Sequence, residues 1–354
     1  KEMAEQPRVI ARMLEEKTTD DMPDFSAEQV EDSLLSGCDS VCVIACGSAM
    51  HAGLAGQFMM KKFLHIPVSV ELASEFMYTD PVVDEKTLVI AVSQSGETID
   101  TLEALKYAKG KGAKSLAIIN VKGSSIARES GAVLYTNAGP EIAVASTKAY
   151  TSQLALFALL VARMAYVRGV FSEEETKAFV RELKKVPAAM EEVLAGKEKI
   201  HHIAGRIIGA KDIFMIGRGL DYFIAMEGSL KLKEVSYIHS EAYASGELKH
   251  GPLALITEHT PVVAVATQEQ LLSKEISNIR EVRSRGADVV LFAKDRVMPE
   301  EEEGYLTFVL ADVRDEFMCL PAAVALQLLA YYVSSDKGYD VDKPRNLAKV
   351  VTVE

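Results

Sequence analysis

Apolar runs of strand length alternate with helical stretches along most of this chain. Residues 41–45, 68–72, 88–92, 115–119 and 133–136 are short, apolar and rich in β-branched side chains. Between them, 52–63 and 98–109 are helical in pattern. Strands alternating with helices predict βαβ units and a mostly parallel sheet. A long helix over 146–168 closes this block, and the charged, helical stretch 172–205 reads as a connector. The same texture then returns. Strands are predicted at 213–216, 262–265, 289–292 and 306–309, and helices at 224–234, 270–285 and 321–337. Ahead of the first strand, residues 1–35 predict an amphipathic helical segment, with Pro7 near its start and Pro23 breaking the pattern.

The two blocks repeat one another. Val43-Ile44-Ala45-Cys46-Gly47-Ser48 answers Phe214-Met215-Ile216-Gly217-Arg218-Gly219, and the next apolar runs end on Ser93-Gln94 and Thr267-Gln268. The step from Ser93 to Gly112 equals that from Thr267 to Gly286. An ungapped match through strand, helix and glycine turn points to a duplicated domain. The predicted organisation is a helical segment 1–35, a first α/β domain 36–170, a helical connector 171–205, a second α/β domain 206–338 and a tail 339–354. The copies differ at one turn, Ser93-Gln94-Ser95-Gly96-Glu97-Thr98 in the first and Thr267-Gln268-Glu269-Gln270-Leu271-Leu272 in the second. The second copy has lost the hydroxyl-rich turn and gained a carboxylate, so phosphate binding is expected in the first copy only.

Bulk properties narrow the field. A chain of 354 residues is long enough for two domains. A net charge of -12 argues against a nucleic-acid binder. It leaves room for a small anion, because backbone N–H groups bind phosphate on an acidic protein too. No signal peptide is visible. The apolar run 154–164 is too short to span a bilayer and contains Arg163, so a buried helix is predicted and no membrane partner. Cys42 and Cys46 lie along one predicted strand, too far apart to share an ion, so no metal is expected. Together with Cys38 and Cys319 they read as free thiols of a reducing, cytoplasmic setting. The start at Lys1 suggests a piece of a longer protein.

Several segments carry candidate chemistry. The 93–98 turn follows a buried strand and opens a helix. The carboxyl ends of parallel strands are where ligands bind, and the first N–H groups of a helix attract anions. Ser93, Ser95 and Thr98 add hydroxyls without positive charge, which suits a phosphate monoester. Simple capping by Ser95 or Thr98 would need only one of them. Cys46-Gly47-Ser48-Ala49 makes a second such turn. Ser146 or Thr147 could cap the long helix or present a hydroxyl to a pocket. Glu227, Lys231 and Glu234 fall on one helix face, as a surface ion-pair ladder or as working groups. Glu241, Glu247, Lys249 and His250 follow. A carboxylate, a histidine and a lysine together are the parts of proton transfer on a sugar. The tail contains Pro344-Arg345-Asn346-Leu347-Ala348-Lys349 and is rich in apolar residues, so it is expected to dock and could bring Lys349 into a pocket as an amine nucleophile.

These motifs together resemble the isomerase domain of the glucosamine-6-phosphate synthase family. The resemblance runs from Glu5-Gln6-Pro7 to Glu354, and its most specific parts are Gly246-Glu247-Leu248-Lys249-His250-Gly251-Pro252 and the tail. It implies an α/β fold of two flavodoxin-like sugar-isomerase (SIS) subdomains, each a three-layer αβα unit with a parallel sheet, plus a C-terminal tail. It implies an enzyme without cofactor, acting on fructose 6-phosphate and glucosamine 6-phosphate. By position, Ser93, Gln94, Ser95 and Thr98 would hold the phosphate, and Ser48, Val144, Ser146 and Ala348 would line the sugar. Lys349 would form a Schiff base, Glu234 would move the proton between C1 and C2, and Lys231 would lie beside it. His250 would assist ring opening from the other subunit of a homodimer. A glutaminase domain would accompany these residues in the full-length enzyme. Ala49 stands where the family has a serine, which removes one hydroxyl near the sugar. Two other readings remain: a stand-alone glucosamine-6-phosphate deaminase, and a non-catalytic sugar-phosphate sensor. A sensor would need the 93–98 turn but not Glu234, His250 and Lys349 together.

Overall fold

A computed structural model describes residues 1–294 and 305–350; parts of the expected second domain and tail, 295–304 and 351–354, lie outside the described residues. Two five-stranded sheets, all parallel, organise the chain. The first holds β1 (Ser40–Ala45), β2 (Val68–Leu72), β3 (Thr87–Ser93), β4 (Lys114–Ile119) and β5 (Ala132–Tyr135), in the order β2-β1-β3-β4-β5. The second holds β6 (Asp212–Gly217), β7 (His239–Ala244), β8 (Pro261–Ala266), β9 (Asp288–Lys294) and β10 (Leu306–Leu310), in the order β7-β6-β8-β9-β10. The order is the same in both, which supports the duplication read from the repeat. Each sheet reverses its winding between its first and third strands, and the crevice above that point is where an open sheet binds ligands.

Among the described residues, ten longer helices cover the sheets: α1 (Glu2–Glu16), α2 (Gly47–Leu64), α3 (Ile99–Gly110), α4 (Lys148–Val167), α5 (Glu173–Leu183), α6 (Val186–Ala195), α7 (Lys197–Ile207), α8 (Leu220–Ser236), α9 (Leu272–Arg283) and α10 (Cys319–Asp336). Alternation along the strands sorts the core. Val43, Ile90, Val92 and Ile118 of the first sheet and Met215, Val263, Val265 and Phe292 of the second enter one shared central cluster. Ile44, Val89, Ala91 and Ile119 face outward onto Phe76, Ala104 and Leu105, and Ile216, Ala264 and Leu291 onto Ile276 and Ile279. A sheet buried on both faces reads as a continuous apolar run, as the sequence shows. The central cluster also takes nearly all of α4 and α10, whose most apolar windows are 83% and 89% buried, so these long apolar helices are core helices in this fold.

Three segments depart from the sequence reading. The helix in 1–35 ends at Glu16 and is followed by a two-residue antiparallel ribbon, with Pro7 accommodated in the second turn. The stretch 172–205 does more than connect, since α5, α6 and α7 bury Phe179, Met190 and Ile203 in the central cluster. The strand β7 has no apolar run. It is an edge strand with a half-solvated face, so His239 and Glu241 break the pattern that marks the central strands.

Candidate functional site

The switch point of the first sheet lies between β1 and β3. Ser48 follows β1 in the first turn of α2, and the 93–98 turn follows β3 and leads into α3. The turn is tied together by its own side chains. Ser93 and Thr98 share a hydroxyl–hydroxyl hydrogen bond of 3.0 Å, Gly96 N donates to Ser93 Oγ at 3.0 Å, and Glu97 N donates to Ser95 Oγ at 3.1 Å. Thr98 is the N-cap of α3 by position, yet its side chain makes no capping bond. The hydroxyls are therefore not spent on the helix end. Ser93, Ser95 and Thr98 are gathered around it, with Gln94 half-buried beside them.

Gly96 holds this turn together. Its φ is +67°, and a Cβ there would stand 2.0 Å from the buried Ser124 Oγ. Gly96→Ala is expected to cost about 1–3 kcal/mol of stability and to raise the KM for a phosphorylated substrate at least about tenfold. Thermal unfolding and substrate titration of the variant check both.

The face formed by Glu227, Lys231 and Glu234 is not a surface ladder. Glu227 and Lys231 are 1% and 3% exposed. Packing of α8 against α2 places Glu227 under the first switch point. Ser48 Oγ donates to Glu227 Oε1 at 2.8 Å, and His51 Nδ1 lies 2.7 Å from Glu227 Oε2. Lys231 Nζ sits 3.5 Å from Glu227 and 2.5 Å from Glu234 Oε2. Burial alone would push Glu227 up, but the Lys231 ammonium, His51 and Ser48 hold it below the usual carboxylate range. Burial works against the Lys231 charge, and the two carboxylates outweigh it and raise Lys231. Burial prevails at Glu234, which is pushed up in spite of Lys231. The ladder thus holds one carboxylate kept charged and one made more basic, with an ammonium between them.

A fourth group closes the site. Glu141, in the loop after β5, is 5% exposed and receives four hydrogen bonds. Thr147 N at 2.8 Å and Ala149 N at 3.1 Å donate to Oε1, while Ser146 Oγ at 3.2 Å and Lys349 Nζ at 2.8 Å donate to Oε2. The start of α4 is therefore capped by Glu141. Ser146 and Thr147 do not cap it, and α4 begins two residues later than its sequence pattern predicts. A carboxylate at a helix N-terminus is favoured by the unpaired N–H groups there. Glu141 also anchors the tail. Val144 N donates to the Asp342 carbonyl at 3.0 Å, and Arg345 N donates to Tyr237 Oη at 2.9 Å. Lys349 is delivered in this way, with Ala348 exposed next to it. Behind it, a cavity of about 460 Å³ has Lys231, Thr147 and Asp342 in its wall.

The second switch point, between β6 and β8, is filled from within. Asp221 at the start of α8 accepts from Thr267 N at 2.7 Å, Thr267 Oγ1 at 2.5 Å and Gln268 N at 3.3 Å. These donors correspond in the repeat to Ser93 and Gln94 of the first copy. The carboxylate that occupies this strand end is Asp221, not the Glu269 of the sequence comparison. Nearby, Glu275 accepts from Ser245 Oγ at 2.8 Å, while its Oε2 has no hydrogen-bond partner. Burial pushes Glu275 up to about 8 from 4.5. An unfolded chain loses this proton near 4.5 and the folded one keeps it to about 8. Stability attributable to Glu275 therefore falls as pH rises through that window and is level above it. Glu275→Gln removes the slope. Its advantage over the parent is expected to grow by roughly 2–4 kcal/mol between pH 5 and pH 8 in denaturant unfolding.

A family model described as SIS domain matches residues 34–163 and 206–333, one match over each sheet. The chain belongs to the SIS-domain family. Its sequence is 49% identical, over its whole length, to a glutamine–fructose-6-phosphate aminotransferase (isomerizing) of Caldanaerobacter subterraneus, of which it spans 58%. The SIS-domain fold matches the C-terminal domain of a glucosamine-fructose-6-phosphate aminotransferase from Francisella tularensis, with a TM-score of 0.93, 38% identity and 97% of each chain covered. A glucosamine-6-phosphate deaminase from Thermotoga maritima shares the fold at a TM-score of 0.76 and 23% identity, over 99% of this chain and 98% of that one.

In this SIS-domain protein, Ser48, Lys231 and Glu234 are linked through Glu227, and Ser146 and Lys349 through Glu141, with Val144 tied to the tail at Asp342 and the 93–98 turn at the strand end beside Ser48. His250 does not join them within the chain. It is exposed in the turn after β7, and Lys249 beside it pairs with Glu281 at 3.2 Å. The six residues of β7 advance the chain roughly 20 Å from the end of α8, which separates His250 from Glu234. Sequence reasoning passed over Glu141 and His51. Glu141 offered one signal, a carboxylate shortly before the start of a long helix. His51 offered none, because its partner lies 176 residues away.

Proposed function

We propose that this chain is the sugar-phosphate isomerase part of a glutamine–fructose-6-phosphate aminotransferase. The observation that carries the reading is the buried Lys231 paired with the half-buried Glu234, together with a tail lysine held by Glu141. The 93–98 turn would hold the 6-phosphate through its hydroxyls and the N–H groups of α3, and Gln94 would assist. Ser48, Ser146, the Val144 backbone and Ala348 would line the sugar. The Lys349 amine would add to the C2 carbonyl of the open-chain ketose and expel water, forming an imine. Glu234, made more basic by burial, would take a proton from C1 and return it at C2, while Lys231 stabilises the carboxylate. Ammonia from a glutaminase domain would add to the C2 imine before the proton moves and release the Lys349 amine, so that the proton transfer leaves the amino group of glucosamine 6-phosphate on C2 and the aldehyde at C1. Without ammonia, the same proton transfer on the free C2 ketone of fructose 6-phosphate, with no imine formed, would give glucose 6-phosphate. His250, exposed and distant from its own Glu234, would serve ring opening in the other subunit of a homodimer. The four free thiols fit a cytoplasmic location. The working division is a phosphate-binding domain over 36–170, a second domain over 206–338 whose anion slot is closed by Asp221, and a tail that carries the nucleophile.

The test is to supply the purified chain with fructose 6-phosphate alone and assay glucose 6-phosphate. Turnover is expected. Ammonia release from glucosamine 6-phosphate as the faster reaction would transfer the assignment to a deaminase. Tight sugar-phosphate binding with no turnover of either substrate would overturn it in favour of a sensor.

A further inference from the structure

His51 and Glu227 are members of the buried charge cluster to which the proposed reaction gives no part. His51 lies in α2, one turn after Ser48, and is 8% exposed. Its Nδ1 is 2.7 Å from Glu227 Oε2, so a carboxylate and an imidazole are bonded across the joint between the halves. Glu227 Oε1 is shared by Ser48 Oγ at 2.8 Å and Lys231 Nζ at 3.5 Å. Lys231 reaches Glu234 at its other side. Lys231 thus stands between two carboxylates, about one turn from each, and its aim depends on where Glu227 is fixed. Two neutral or cationic donors from α2, Ser48 and His51, fix it. Removing a donor from a buried carboxylate leaves that oxygen unsatisfied, and the carboxylate then takes its compensation from the nearest ammonium. That ammonium is Lys231.

We propose that His51 is a positioning residue for the isomerisation: its Nδ1–H holds the Glu227 carboxylate, and Glu227 in turn sets the Lys231 ammonium on Glu234. His51 touches no reacting atom. It acts through two ion pairs, and it does so from the phosphate-binding half onto the helix that carries the base. The inference rests on the function proposed above. It adds that the proton-transfer groups are aligned by contact between the two halves and not by α8 alone.

The experiment uses the whole chain and the conversion of fructose 6-phosphate to glucose 6-phosphate. In His51→Ala, Glu227 loses the bond and draws Lys231 away from Glu234. The expected result is a fall in kcat of about tenfold or more, each decade being about 1.4 kcal/mol of transition-state stabilisation. KM is expected to stay within about twofold, because the 93–98 turn is untouched. His51→Asn keeps an N–H donor near the place of Nδ1 and is expected to recover most of the lost rate. A merely structural histidine would lower stability in both variants without separating kcat from KM or restoring the rate in His51→Asn. Parental kcat in His51→Ala, or no recovery in a folded His51→Asn, overturns the proposal. If His51→Ala does not fold, Glu227→Gln decides: it keeps the shape and loses the charge, and an undiminished kcat there overturns the proposal as well. Failure of the underlying function looks different, because then the parent itself makes no glucose 6-phosphate.

Discussion

Replacing Glu234 by glutamine is expected to lower the isomerisation rate by roughly 100- to 10,000-fold, the range found for removal of a positioned general base. The variant keeps the side chain's shape. It keeps a polar oxygen toward Lys231, and it leaves Ser48 and the 93–98 turn in place. The KM for fructose 6-phosphate should therefore change little, and the loss should fall on kcat. In the parent, burial raises Glu234 above the ordinary carboxyl range. In the proposed reaction the carboxylate form accepts the C1 proton, so activity should be lost as pH falls through that raised value. The acid side of the rate profile should sit higher than an exposed glutamate would place it, and in Glu234→Gln this limb should be missing. Exchange of the C1 proton with deuterated solvent gives an independent measure. A variant that exchanges within a few fold of the parent would show that another group moves the proton.

Lys349→Arg should have an effect at least as large on any step that passes through an imine. Arginine retains the positive charge and the reach to Glu141, whose carboxylate holds Lys349 Nζ at 2.8 Å. It cannot act as an amine nucleophile, because the guanidinium stays protonated. The tail should thus remain docked through Asp342 and Arg345, and sugar-phosphate binding should persist. The measurement is reductive trapping. Parent protein, fructose 6-phosphate and borohydride should give a covalent hexitol-phosphate adduct on the peptide containing Lys349, and Lys349→Arg should give none. Adduct formation on another lysine, Lys231 or Lys148 among the buried ones, would move the nucleophile off the tail. Glu141→Gln is the natural companion, since it loosens the anchor while sparing the amine.

The two changes probe different halves of the site, and both depend on how little water reaches it. The carboxylates of Glu141 and Glu227 are nearly inaccessible. Charges in such surroundings interact more strongly than at the surface, and each unmatched one is costly. Every buried charge in the cluster has a partner of opposite sign or a donor: Glu141 with Lys349, Lys231 with Glu227 and Glu234, and Glu227 with His51 and Ser48.

Much of the fold was legible in the sequence. Central strands such as Val41 to Ala45 and Leu88 to Val92 are buried on both faces, and that requirement writes a continuous apolar run into the chain. The duplication showed in matched glycines and strand ends. The 93–98 turn was legible because its chemistry is local, with three hydroxyls and a glycine in six residues, and the bonds among its own residues span at most five positions. The tail's need to dock showed in its apolar content. Tertiary structure alone decided the rest. The strand β7 was hidden because an edge strand with one wet face has no apolar signature. Glu227, Lys231 and Glu234 share a helix face in any reading, but whether water or α2 covers that face depends on packing between the halves. The contacts that turn a ladder into a site join residues 179 and 208 apart, Ser48 to Glu227 and Glu141 to Lys349. His250 follows the ladder closely in sequence and is carried away from it by β7. Periodicity along a chain reports which face is buried, because burial acts on every turn or every second residue. It carries no record of what stands opposite, and a buried charge is defined by its opposite.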